Sequence, residues 1–139
     1  MKKMLLICGI LAMFLSCSSN EDSADSPTLV GTWKLSEINN DPGDGSGVFQ
    51  KVKSEKVLVF KTNNEITSNG SLCENDIESS SPSLGNYTVA EDINSSGKIL
   101  PLACSYDFSS IGIHFEIKGS YLYVYYPCDE LCAAKYVKQ

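Results

Sequence analysis

The chain has 139 residues, with 17 acidic against 11 basic side chains, one histidine and a formal charge of −6. Every basic residue is lysine. An acidic, arginine-free chain lacks the groups that displace counterions from nucleic acid and the bidentate fork that suits phosphate or carboxylate ligands, so nucleic acid is set aside as a partner.

Met1-Lys2-Lys3 opens the chain with positive charge, and Met4 to Leu15 is then apolar and uncharged. That stretch is too short for a bilayer span, which takes ~20 helical residues. A basic start, a short apolar run and a small residue before a cut make a secretory signal instead. Phe14-Leu15-Ser16-Cys17 resembles the lipobox of bacterial lipoproteins. The resemblance implies a signal peptide over 1–16 and a mature chain starting at Cys17, whose thiol carries diacylglycerol and whose acyl chains hold it to a membrane. Residues 17–28 hold Glu21, Asp22, Asp25 and Pro27 and nothing to bury, so they are expected to form a flexible tether. Acids just after a lipidated cysteine resemble the signal that sends lipoproteins to the outer face of the outer membrane in Bacteroidetes-type bacteria. Loss of Lys2 and Lys3 moves the formal charge from −6 to −8, and residues 29–139 are long enough for one domain with a core.

From Leu29 the chain reads as short strands between turn formers. Leu29–Ile38 alternates Leu29, Gly31, Trp33 and Leu35 on one face, and Asn39–Gly47 is dense in Gly, Asp and Pro. Lys56–Lys61, Glu65–Cys73, Tyr87–Glu91 and Lys98–Tyr106 follow, with Pro101 suggesting an edge or a bulge in the last of these. Ile111–Lys118 places Ile111, Ile113, Phe115 and Ile117 inward; Ser120–Tyr126 and Ala133–Val137 complete eight segments. Period-2 patterning with regular turn signals predicts an all-β domain, and eight successive segments suit an up-and-down antiparallel barrel, which leaves no open edge.

Gly31-Thr32-Trp33 in the first strand looks like the Gly-x-Trp motif of lipocalins. With the Asp41–Gly47 loop and the Cys128-Asp-Glu-Leu-Cys132 ending, the mature domain resembles lipocalin-like lipoproteins of the Bacteroidetes. The resemblance implies a lipocalin-like barrel with an open mouth. Lipocalins set an arginine against that tryptophan; here Lys118, Lys135 or Lys138 would have to serve as the cation over the indole.

In a meander whose first strand runs up, Cys73, Cys104, Cys128 and Cys132 all fall at the upper end, beside the Asn39–Gly47 loop. In an exported protein they are expected to form two disulfides. Three connectivities exist and the sequence does not choose; Cys73–Cys104 with Cys128–Cys132 is the working assignment. A four-cysteine zinc site has the wrong spacing. Asp41, Asp44 and Ser46, with Glu74, Asp76 and Glu78 nearby, could supply oxygen to calcium, but the turn reading of the loop is preferred.

His114 falls on the polar face of its strand with no nucleophile motif beside it, so no enzyme activity, metal or cofactor is expected. Tyr121, Tyr123 and Tyr125 lie on one face of their strand, with Leu122, Val124 and Tyr126 on the other. If the tyrosines point in, they join Trp33, Ile113 and Phe115 as liners of a cavity for a small apolar or amphipathic ligand. If they point out, they form a sugar- or protein-contacting face. The leading expectation is a membrane-anchored, ligand-binding barrel; the alternative is a packed barrel acting as an interaction or inhibitor module.

Overall fold

The computed structural model describes residues 28–90, 95–105, 111–129 and 131–139. The expected signal peptide, Cys17 and nearly all of the expected tether lie outside them. Among the described residues there is no helix. Nine strands run in chain order: β1 Gly31–Asn40, β2 Gln50–Lys51, β3 Val57–Phe60, β4 Glu65–Ser68, β5 Ser83–Val89, β6 Ser96–Pro101, β7 Ile113–Lys118, β8 Tyr121–Tyr126 and β9 Cys132–Lys138. Each pairs antiparallel with its neighbour, and β9 returns to β1, closing an eight-strand up-and-down barrel consistent with the lipocalin-like expectation. The short β2 is an addition: it pairs with β1 at Glu37 and Ile38, above the rungs that β3 makes at Gly31 to Lys34.

Local chemistry explains the closed end. Gly119, at φ 58°, begins the two-residue turn between Lys118 and Tyr121, where only a residue tolerant of positive φ matches the strand twist. Asn64, at φ 63°, does the same for the β3–β4 hairpin, and the amide of Tyr87 donates to its carbonyl. A bulge between Leu35 and Glu37 reverses the alternation of β1, so that Trp33 and Leu35 face inward below it and Ile38 above it.

The interior is built from Trp33, Leu35, Leu58, Phe60, Ile66, Tyr87, Ile99, Ile113, Phe115, Leu122, Val124, Tyr126 and Tyr136, each at most 6% exposed. Phe60 meets Tyr87 and Phe115 edge-on, with centroids 5.0 and 5.4 Å apart. Gly97 pairs with Phe115, and a Cβ on it would stand 2.8 Å from that ring and 1.9 Å from the Thr88 carbonyl oxygen. The glycine is therefore the condition for seating Phe115.

Three sequence expectations shift. Pro101 is the last residue of β6, paired with Gly85, and not an interior interruption. Ile111 precedes β7 and is exposed, because the strand starts only at Ile113. The third segment ends at Ser68, not Cys73, because Asn69 and Gly70 turn the chain into the barrel mouth.

Candidate functional site

The four cysteines gather at the upper end as the meander requires, bonded as Cys73–Cys104 and Cys128–Cys132 with Cα separations of 5.8 and 6.1 Å. The β4–β5 connection, residues 69–82, is folded into the mouth and acts as a stopper. Leu72 at its tip is buried in the core. Cys73 ties it to the β6–β7 connection, and Asn75 Nδ2 donates to the carbonyls of Asn39 and Ala133 at 3.1 and 3.4 Å. Ser83 Oγ donates to the Gly70 carbonyl at 2.6 Å and accepts from the Leu72 amide at 2.9 Å.

The fourth fastening is ionic. Lys56 is fully buried, and its ammonium donates to the carbonyls of Glu74 and Asp76 and to Asp76 Oδ1, the last at 2.8 Å. All three N–H groups are thus used, which is what makes a buried ammonium tolerable. Below the stopper, Tyr126 and Tyr136 bring their hydroxyls to 3.4 Å. Burial pushes the Tyr126 phenol up to about 12 and raises that of Tyr136 well above its ordinary value.

The closed end is sealed by other means. Trp33 Nε1 donates to the Leu29 carbonyl at 2.8 Å, and Lys138 Nζ stands 5.2 Å from the centre of the Trp33 ring. That ammonium also donates to the Thr28 and Val30 carbonyls. Of the three lysines that could replace the lipocalin arginine, Lys138 takes the position; Lys118 and Lys135 lie on the outer wall.

Trp33, Ile113 and Phe115 do face inward, as core packing among buried neighbours. Tyr121, Tyr123 and Tyr125 do not line the interior. Leu122, Val124 and Tyr126 take the inner face, opposite Tyr136, Ala134 and Cys132 of β9, and the three tyrosines take the outer one, opposite Val137, Lys135 and Ala133. The tyrosines join an outer network already supplied with partners. Lys135 sits 4.1 Å over Tyr121 and pairs with Glu37, Lys118 lies 5.7 Å from Tyr123, and Phe49 meets Tyr123 edge-on. Tyr125 donates to Glu116 and stacks with His114 at 23°. Burial pulls the Glu116 carboxyl up, but hydrogen bonds from Lys118 and Tyr125 outweigh it and leave the group below its ordinary value.

The Asp41 loop is a turn device. The Asp41 carboxylate accepts amides from Gly43, Gly45 and Gly47 at 2.8, 3.2 and 3.2 Å, and the Gly43 bond leads in holding its pKa below the ordinary range. Glu74 and Asp129, with Asn75, Tyr126 and the disulfides, line an open depression of about 1180 Å³ above the stopper. The stopper itself was not legible from sequence: residues 69–73 read as the end of a strand and 74–82 as polar chain, with Leu72 and Ile77 as the bulky apolar residues among them. Comparison with family models, curated proteins and solved structures finds no match to this chain.

Proposed function

We propose that this is a membrane-anchored envelope lipoprotein whose barrel works through its mouth and outer wall, as an interaction or inhibitor module, and not by enclosing a small apolar ligand. The observation that carries the reading is the stopper. A ligand entering the barrel would have to displace Leu72 and dismantle the Lys56–Asp76 pair beside a disulfide. The inward aromatic rings already occupy the volume that a cavity would need.

The anchoring half rests on the basic start, the apolar run and Cys17, with the acidic tether after it. The chain enters the barrel at the closed end, where Lys138 holds Thr28 and Val30. A leash attached there leaves the mouth at the end farther from the lipid.

The test is native mass spectrometry of the protein extracted from its own membranes, with titration of a dansyl-labelled fatty acid. The expected result is the acylated chain alone and no fluorescence gain. A stoichiometric co-extracted small molecule would overturn the surface reading. Cys17→Ser is expected to release a folded domain from the membrane fraction; unchanged attachment would overturn the anchor.

A further inference from the structure

The four upper connections differ from the rest of the molecule in charge. The described residues of the loop 41–49 and of the connections 69–82, 102–112 and 127–131 include Asp41, Asp44, Glu74, Asp76, Glu78 and Asp129, and no lysine. Only Asp76 is neutralised by a buried partner, Lys56. Lys51 lies on β2 and Lys53 on the crossover opposite Leu35 and Ser36, at mid-height of β1. The same connections carry the exposed aliphatic residues Val48, Ile77, Leu102, Ile111 and Leu131, each between 40% and 65% exposed. Between them opens the depression floored by Tyr126 and the disulfides. Asn75 stands at its wall with the amide nitrogen committed to Asn39, Asn40 and Ala133 and the Oδ1 shielded from solvent without a hydrogen bond.

We propose that this mouth docks a cationic polypeptide segment, one with lysine or arginine side chains set among aliphatic ones. The assignment rests on the surface-acting reading and names its partner class. Ile111 lines the depression and Leu102 precedes its lining residue Ala103, so exposed aliphatic groups stand beside its acids. The charge decides the occupant: carboxylates without lysine repel an anionic bilayer or an acidic protein and attract a basic one. An ammonium or guanidinium entering the depression would also meet Glu74 and Asp129, which line it. The outer tyrosine wall is the weaker candidate, because lysines already cover its rings and glutamates already pair those lysines.

The test uses the full chain in phosphatidylcholine nanodiscs and three fluorescein-labelled 14-residue peptides, of lysine and leucine, glutamate and leucine, and lysine and glycine. Anisotropy is expected to show the lysine–leucine peptide binding at least tenfold tighter than either other, weakening as salt rises. Glu74→Gln with Asp129→Asn should reduce affinity about fivefold and flatten the salt dependence. Leu102→Ser with Ile111→Ser should reduce it about tenfold, and Glu65→Gln at the closed end should change nothing. Thermal melts of all variants check that the barrel is retained. Equal binding of the three peptides, equal binding to empty nanodiscs, indifference to both mouth variants, or insertion of the mouth into anionic vesicles would each overturn the assignment. The lipid-extraction experiment reads only the barrel interior. A resident lipid there would sink the surface reading, whereas an inert mouth over an empty interior would sink this assignment alone.

Discussion

The two ends of the barrel are closed by opposite means. At the foot, the β7–β8 hairpin turns in two residues, and one tryptophan, one leucine and one lysine complete the seal. At the mouth, long polar connections offer few side chains to bury, and closure depends on a disulfide, a buried ion pair and an asparagine fork. The difference teaches that apolar packing and crosslinks substitute for each other locally: where the chain supplies few core residues, bonds of longer reach hold the loop.

The largest effect is expected at the foot. Trp33→Ala should cost about 3–5 kcal/mol in urea unfolding, since its ring is fully buried and the surrounding strands cannot collapse onto the gap. A loss below ~1 kcal/mol would show that the foot is not packed as described.

The next perturbation strikes the inside of the mouth. Tyr126 is neutral in folded and unfolded chains below its ordinary pKa of 10.0; above it the unfolded chain loses a proton that the folded chain keeps up to about 12. Stability therefore falls as pH rises across that window, by roughly 3 kcal/mol from this group alone. Tyr126→Phe should move the alkaline midpoint upward, and an unchanged midpoint would remove the phenol from the account.

Replacing Cys73 and Cys104 by serine should cost ~2–4 kcal/mol and concentrate faster amide exchange in residues 69–82, with the foot left as protected as before. Uniform loss of protection would mean that the stopper is part of the barrel's cooperative unit. Asp76→Ala should cost about 2–3 kcal/mol, because it strands a buried ammonium, while Lys56→Met should be nearly neutral. Equal costs for the two would contradict the ion-pair description. The smallest change is Lys138→Ala, expected to cost ~1 kcal/mol or less and to fray residues 28–30, with Lys138→Arg restoring protection.

Much of this contrast was readable from the sequence, and unevenly so. The eight barrel strands follow from two-residue alternation, and the up-and-down order alone gathers the four cysteines at one end. Period 2 was silent on Ser120–Tyr126, because both faces of SYLYVYY are bulky; the register with β9 sets Leu122 against the buried Tyr136 and Tyr123 against Lys135. The stopper was invisible for a related reason. Its stability comes from Lys56, Ser83 and Asn75, residues far apart in sequence whose polar character reads locally as loop. The Asp41 turn, by contrast, depends on near neighbours and was anticipated, and strand order gathered the four cysteines, while their pairing stayed open among three connectivities with the observed one as the working assignment.

The Lys138 clamp has a mechanical consequence. Under the proposed anchoring, the leash joins the barrel at the foot of β1, and β1 is hydrogen-bonded along both edges, to β3 and β9. Tension from the membrane would first load the Lys138 contacts to Thr28 and Val30, then draw on both ladders in shear, with their rungs resisting together. A protein held this way can be tugged by whatever its mouth grips without unravelling from the attached end.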